Sequence, residues 1–309
     1  MIEPKVRNAL QECLADRIEF DASLSRHTSL RIGGPADAIA TPADREELCA
    51  LLGLCARYAL PSLVIGAGFN LLVGEEGLRS VVIRLKKLRR IERVSDDVIS
   101  VEAGASHATI TRFCIDHALG GLEFGAGIPG TLGGWLAMNA GIGVREMKDV
   151  VREIEIVGCE GRPVSRIPRS MLEFGYRELT GLPTGAIILS AKLQVEESER
   201  AKVQSEIDRL LAHRQSTQPT DIPSCGSVFR NPPGQFAGQL IEAAGLKGAR
   251  VGSAEISSVH ANFIVNHGGA TASDVLQLIE RAREAVERET GIRLETEVKI
   301  IGRSPGEDS

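Results

Sequence analysis

The stretch GGLEFGAGIPGTLGGWLAMNAGIG, Gly120 to Gly143, decides how the rest of the chain is read. It holds nine of the chain's 33 glycines in less than a tenth of its length. Glycine in regular structure costs roughly 0.5–1 kcal/mol relative to alanine, because it gives up more conformational freedom on folding. A segment that bears this cost repeatedly needs a reason. Glycine lets backbone approach a ligand closely and reach left-handed conformations, Pro129 stiffens the run, and Thr131 adds a hydroxyl. The segment reads as a rigid, amide-lined cradle for an extended anionic ligand.

A second glycine loop, Gly66, Ala67, Gly68, Phe69 and Asn70, follows the short apolar strand LVIG. Its closely spaced amides suit a diphosphate. Alone it reads equally well as a tight interstrand turn. A Rossmann fingerprint needs a third glycine and a helix next, whereas LLVGEEGLRSVVIRL leads into another strand. Together the two loops favour ligand binding over plain turns.

Working outward, Pro4 with Val6, Leu10, Cys13 and Leu14 predicts an amphipathic first helix, and Thr41, Pro42 and Asp44 start a second with Leu48, Leu51, Leu52 and Cys55 on one face. Between them, His27 to Pro35 reads as a loop. Strands are expected at Leu63–Gly66, Ser80–Leu85, Val98–Ala103, Val151–Gly158 and Ala186–Val195. Ser106 caps an expected helix with Ile110, Phe113, Cys114 and His117 along one stripe and a stop at Gly120. His107 and His117 belong to that helix's surface and stripe. Near Val195 the composition shifts to EESERAKVQSEIDRLLAHR, a charged helix with Val203, Ile207, Leu210 and Leu211 on one face, and a domain boundary is expected there. A helix from about Ser273 to a stop at Gly291 and a last strand, RLETEVKII, complete the pattern; the tail 303–309 is expected to be disordered.

The 309 residues, 43% hydrophobic and 25% charged, suffice for two or three packed domains. A net charge of -5 argues against a nucleic-acid partner, which needs a surplus of Lys and Arg on one face. The start, MIEPKVRNAL, has no signal-peptide core and no apolar run reaches membrane-spanning length, so secretion and membrane insertion are not expected. The six cysteines form no C-x-x-C pair and no disulfide framework; free thiols in a reducing cytoplasm, with no metal, are the expected state.

The strand and G-x-G-x-N loop, followed by AGIPGTLGG (Ala126–Gly134) and MNAG (Met138–Gly141), resemble the vanillyl-alcohol-oxidase (PCMH) type of FAD-binding domain. FGYR (Phe174–Arg177), PSCGSVFRNP (Pro223–Pro232), AGQLIEAAGLKG (Ala237–Gly248), HANFIVN (His260–Asn266) and LETEVKIIG (Leu294–Gly302) are similar to the UDP-N-acetylenolpyruvoylglucosamine reductase family. The likeness runs from about His27 to Gly302. The length, without an extra segment after FGYR, resembles the shorter of the two known forms.

The resemblance implies an α+β protein: an FAD-binding domain over residues 1–195 in two lobes, about 1–85 and 86–195, and an α+β substrate domain over 196–302. It implies FAD as cofactor, NADPH as co-substrate, a UDP-sugar as substrate, and a monomer. By motif, FAD contacts fall on Gly66, Ala67, Gly68, Phe69, Asn70 and Leu71 and on Gly127, Ile128, Pro129, Gly130, Thr131, Gly133 and Gly134, with Arg31 and Asn139 added. Substrate contacts fall on Tyr176, Arg214, Asn231 and His260. Arg177, Ser227 and Glu297 carry the chemistry. Three positions depart from the family's pattern: Phe69 replaces a serine, Leu179 a serine, and Thr217 a common lysine. The competing readings are another FAD oxidoreductase of the same fold that uses a different acid, and a catalytically silent relative that only holds FAD or a UDP-sugar.

The implied reaction adds hydride to the methylene carbon of an enol ether conjugated to a carboxylate, leaving negative charge at the neighbouring carbon. Arg177 suits the carboxylate, because its planar, permanently charged fork can form two parallel hydrogen bonds. Ser227, in a loop stiffened by prolines, can deliver a proton if the enolate is basic and the hydroxyl well aimed. In the last strand, alternation puts Leu294, Thr296, Val298 and Ile300 on one face and Glu295, Glu297 and Lys299 on the other. Alternation cannot choose between the two glutamates; the family's E-V-x-I-I-G pattern selects Glu297. A carboxylate would repel an enolate, so Glu297 is expected to be held protonated by burial and to donate a hydrogen bond.

Overall fold

The computed structural model describes residues 2–302, so the expected disordered tail lies outside the described residues. The chain divides into two compact units. One comprises the chain up to Asp21, Asp37–Ala67 and Arg79–Ala212; the other comprises Ala22–Ala36, Gly68–Leu78 and the chain from His213. Composition alone suggests one division near Val195. The two short segments join the second unit through distant partners: Leu71–Val73 pairs in parallel with Lys299–Ile301, and the Asn266 amide donates to the Leu30 carbonyl at 2.9 Å.

In the first unit, α1 (Pro4–Leu14) has proline in its first turn and buries Val6, Leu10 and Leu14. Asp44 caps α2 (Arg45–Arg57) by accepting from the Glu47 amide at 2.9 Å, and Leu48, Leu51, Leu52 and Cys55 are buried as their spacing predicts. Both helices contribute to the core around a four-stranded sheet ordered Ile18–Ser23, Pro35–Ala40, Leu78–Arg84, Ser62–Ile65. A second, antiparallel sheet runs Val164–Pro168, Val151–Val157, Ile187–Gln194, Val98–Glu102, Ile91–Arg93. Its core takes in Ile110 of α3 (His107–Asp116) and Trp135 of α4 (Leu132–Ala137), together with Ile99, Val101 and Ile154.

α3 ends before the expected stop at Gly120. His117 is its C-cap, Ala118 takes a left-handed φ of 52°, and Leu119–Gly120 pairs antiparallel with Glu196–Glu197. Burying Leu119 completely outweighs another turn of helix. The same pairing delays α5 (Arg200–Thr217), which starts four residues after Glu196. Val203 and Ile207 are its buried residues, while Leu211 is 42% exposed, so the expected apolar stripe is only half used.

In the second unit, a four-stranded antiparallel sheet ordered Ser224–Ser227, Phe263–Asn266, Ala254–Ile256, Arg250–Val251 packs with α6 (Ala237–Ala243) and α7 (Ala272–Thr290). Thr271 and Asp274 form a capping box at the start of α7, and Gly291 ends it at a φ of 73°. The last strand is shorter than its alternation suggests. The Glu297 and Val298 amides both donate to the Val228 carbonyl, at 2.8 and 3.2 Å, which is a bulge of two residues against one. Beyond it only Lys299–Ile301 is strand, on a different partner, and Ile300 emerges 41% exposed.

Candidate active site

Five expected cofactor residues meet at one cleft of the first unit. Gly66 and Ala67, at the end of strand Ser62–Ile65, and Thr131, Gly133 and Gly134, at the start of α4, line a cavity of about 590 Å³. Glycine at position 66 makes room for Thr131: a Cβ there would sit 2.7 Å from the Thr131 hydroxyl oxygen and force it to move. The Gly133 amide donates to the Ala103 carbonyl at 2.9 Å and the Leu132 amide to the Ala105 carbonyl at 3.0 Å, fixing the second loop beside the first. Arg84, Lys86 and Arg89 also line the cleft and were not singled out from the sequence, although the run RLKKLRR in an acidic chain was a visible signal. Burial pulls the Arg84 guanidinium below its ordinary pKa, opposed by Glu19, as expected of a cation in a partly desolvated wall. Small glycine walls, a hydroxyl and three cations fit the diphosphate and flanking groups of FAD.

The other expected cofactor residues are placed differently. Gly127–Gly130 lie outside that lining. A Cβ on nearby Gly125 would meet Trp135 at 2.5 Å, and the indole N–H donates to the Ile128 carbonyl at 3.2 Å, so part of the glycine richness serves packing around one tryptophan. Arg31, Gly68, Phe69, Asn70 and Leu71 belong to the second unit. Asn139 is 0% exposed, with both sides of its amide engaged within the first unit.

Arg177 lies in the first unit on a hairpin of two short strands, Glu173–Gly175 and Glu178–Thr180, with Tyr176 and Arg177 as the turn. Arg177 has a φ of 56°, a conformation that costs a non-glycine residue roughly 1–2 kcal/mol. Its guanidinium lies 5.2 Å from the centre of the Tyr176 ring, which is 44% exposed. Leu179, the second departure, faces Phe174 across the hairpin.

Ser227 and Glu297 come together in the second unit. Ser227 ends the strand Ser224–Ser227, not a loop as expected, opposite Phe263, with a bulge at Cys225 and Gly226. The carbonyl of the next residue, Val228, accepts from the Glu297 amide. Asn70 joins the two from a third segment: its amide N–H donates to the Cys225 carbonyl, its side chain donates to the Glu297 carbonyl, and its own carbonyl accepts from the Lys299 amide, each at 3.1 Å. Asn262 grips the adjacent Phe229 peptide from both ends, donating to its carbonyl at 2.8 Å and accepting from its amide at 2.9 Å. Glu297 is half-buried and Glu295 exposed, so the bulge separates two glutamates that the sequence leaves equivalent. Cys225 is fully buried and its thiol is pushed up to about 12, which keeps it protonated beside Ser227.

The expected substrate residues are partly engaged in the fold. The Asn231 side-chain oxygen accepts from the Ala237 amide at 3.0 Å. Burial lowers the pKa of His260, and its Nδ1 accepts from the Asn262 amide at 3.2 Å. Burial also lowers the pKa of Arg214, whose buried Nε has no hydrogen-bond partner among the described residues. Thr217 donates its hydroxyl to the His213 carbonyl at 2.8 Å, capping a carbonyl of α5. No helix is long and apolar enough to cross a membrane, among the described residues.

A family model described as UDP-N-acetylenolpyruvoylglucosamine reductase, C-terminal domain, matches residues 218–301, and one described as FAD binding domain matches residues 36–165. The chain is 45% identical to UDP-N-acetylenolpyruvoylglucosamine reductase of Geobacter sulfurreducens, over 91% of this chain and 93% of that protein. It is 46% identical to UDP-N-acetylenolpyruvoylglucosamine reductase 2 of Symbiobacterium thermophilum, over 94% of each. The crystal structure of UDP-N-acetylenolpyruvylglucosamine reductase from Thermus caldophilus superposes with a TM-score of 0.79 at 36% identity, covering 92% of this chain and 98% of that one. A structure of alkyldihydroxyacetonephosphate synthase shares the fold over 64% of this chain, at a TM-score of 0.50 and 19% identity.

Proposed function

This chain belongs to the UDP-N-acetylenolpyruvoylglucosamine reductase family, and from that membership we propose that it reduces UDP-N-acetylglucosamine enolpyruvate to UDP-N-acetylmuramate, a peptidoglycan precursor, using FAD and NADPH. It is an FAD-dependent oxidoreductase, working as a cytoplasmic monomer. Residues 1–195 carry the cofactor role and 196–302 most of the substrate role, with Tyr176 and Arg177 reaching the substrate from the first stretch. The observation that carries the reading is the cleft in which Gly66, Ala67, Thr131, Gly133 and Gly134 converge beside Arg84, Lys86 and Arg89.

When bound, FAD supplies the relay of hydride from NADPH to the enolpyruvyl methylene carbon. The side chains of this protein do the rest. Arg177 binds the substrate carboxylate through its planar fork and holds it as negative charge spreads from the neighbouring carbon. Glu297, protonated, donates a hydrogen bond to that charge. The Ser227 O–H bond breaks as the new C–H bond forms at the carbanionic carbon, and the serine regains its proton from solvent. Arg214, with a buried guanidinium nitrogen that has no hydrogen-bond partner among the described residues, suits an anionic group of the UDP-sugar, and Tyr176, Asn231 and His260 contribute further contacts.

The purified protein should show the absorbance of oxidised flavin, or acquire it on adding FAD, and acid precipitation should leave the colour in the supernatant. Protein that neither carries nor takes up flavin would sink the reading; colour in the pellet would refute non-covalent binding.

A further inference from the structure

The Glu173–Thr180 hairpin is a two-stranded sheet of its own, and such ribbons are marginal unless something else holds them. Phe174 and Leu179 pack it against the core of the first unit, and two polar side chains that meet at the Lys148 backbone fix it further. Asn139 accepts from the Lys148 amide at 3.0 Å. Its own amide group donates to the Gly175 carbonyl at 2.9 Å and to the Glu146 carboxylate at 3.0 Å. Arg169 donates through Nε to the Lys148 carbonyl at 3.0 Å, and its guanidinium lies 5.0 Å from the centre of the Phe174 ring. Phe174 and Gly175 are the two residues immediately before the Tyr176–Arg177 turn. Asn139, fully buried, has its side-chain acceptor and both donors engaged by protein groups, so within the MNAG motif this amide serves the hairpin.

We propose that Asn139 is a positioning residue for Arg177: it clamps the Gly175 carbonyl so that the turn presents the guanidinium to the substrate carboxylate. The proposal rests on the functional reading above. It differs from a flavin contact and from general support of the fold in what its loss should change.

Asn139→Ala should raise KM for the enolpyruvyl substrate about tenfold, the effect of losing a buried hydrogen-bond partner. Flavin content and flavin bleaching by NADPH should stay within about twofold of the parent, because the bonds of the Asn139 amide all go to protein groups. In a double-mutant cycle, adding Asn139→Ala to Arg177→Ala should change KM little, since Asn139 acts through Arg177. Independent, multiplying effects would overturn the proposal, as would flavin loss with KM unchanged. If Asn139→Ala does not fold, Asn139→Ser keeps a polar group in the site but is one heavy atom too short to reach the Gly175 carbonyl; a folded Ser variant with the parent's KM would also overturn it. A parent protein that never consumes the enolpyruvyl substrate refutes the functional reading separately. Amide exchange over Glu173–Thr180 then decides on the clamp: acceleration by the substitution supports it, and unchanged exchange overturns it.

Discussion

Arg177 stands on a two-residue turn at the end of an isolated ribbon, with a left-handed φ of 56°, whereas Ser227 and Glu297 are held by the backbone ladder around a four-stranded sheet. The ribbon is fixed by side chains, Asn139 through the Gly175 carbonyl and Arg169 over the Phe174 ring. The strands are fixed mainly through peptides, with Asn70 bonding at Cys225, Glu297 and Lys299. The difference teaches where substitutions act. In the second unit a reactive side chain can be exchanged without disturbing its backbone, because that backbone depends on N–H and C=O groups. In the hairpin, the conformation that presents the reactive side chain depends on neighbouring side chains.

The sharpest break of this comparison lies between Glu297 and Glu295. The Glu297 backbone donates to Val228 and accepts from Asn70 whatever its side chain, so Glu297→Gln should leave flavin content intact. Turnover should fall by up to about 10²–10³, the usual loss of one donor to a developing oxyanion, less what the weaker amide donor of glutamine recovers. Glu295→Gln, at an exposed position, should stay within about twofold of the parent. Steady-state assays on the two variants check this, and a larger loss at Glu295 would reassign the acid.

A smaller effect, of opposite sign for stability, is expected at the turn. Arg177→Gly should relieve the left-handed strain and offset the extra freedom glycine gives the unfolded chain, so unfolding free energy should rise by up to about 1 kcal/mol while substrate capture is lost. Urea titration reads the first and KM the second. Clear destabilisation would mean that the guanidinium supports the hairpin more than the turn strains it.

How much of this was legible in the sequence follows the same division. Local patterns predicted α1, α2 and α7 with their caps, because the information lies within one or two turns. The cradle at Gly66 and Thr131 was legible as glycine density. That density also includes Gly125, which makes room for Trp135, and a packing demand and a ligand demand for glycine look alike in sequence. The role of Asn70 was hidden because its partner Glu297 lies 227 positions away, and that of Asn139 because Gly175 lies 36 away. The two glutamates stayed equivalent because strict alternation assumes an unbroken ladder, and the shared Val228 carbonyl is invisible without the fold.

The central claim, an FAD-mediated reduction of the enolpyruvyl group completed by a proton from Ser227, is tested most directly by anaerobic stopped-flow spectroscopy on the parent and on Ser227→Ala. NADPH should bleach the flavin of both at similar rates. Mixing with UDP-N-acetylglucosamine enolpyruvate should then restore the oxidised spectrum quickly in the parent and at least roughly a hundredfold more slowly in Ser227→Ala, the effect of losing a positioned proton donor. A parent whose bleached flavin is not reoxidised by that substrate would contradict the function, and equal reoxidation in both proteins would contradict the role of Ser227.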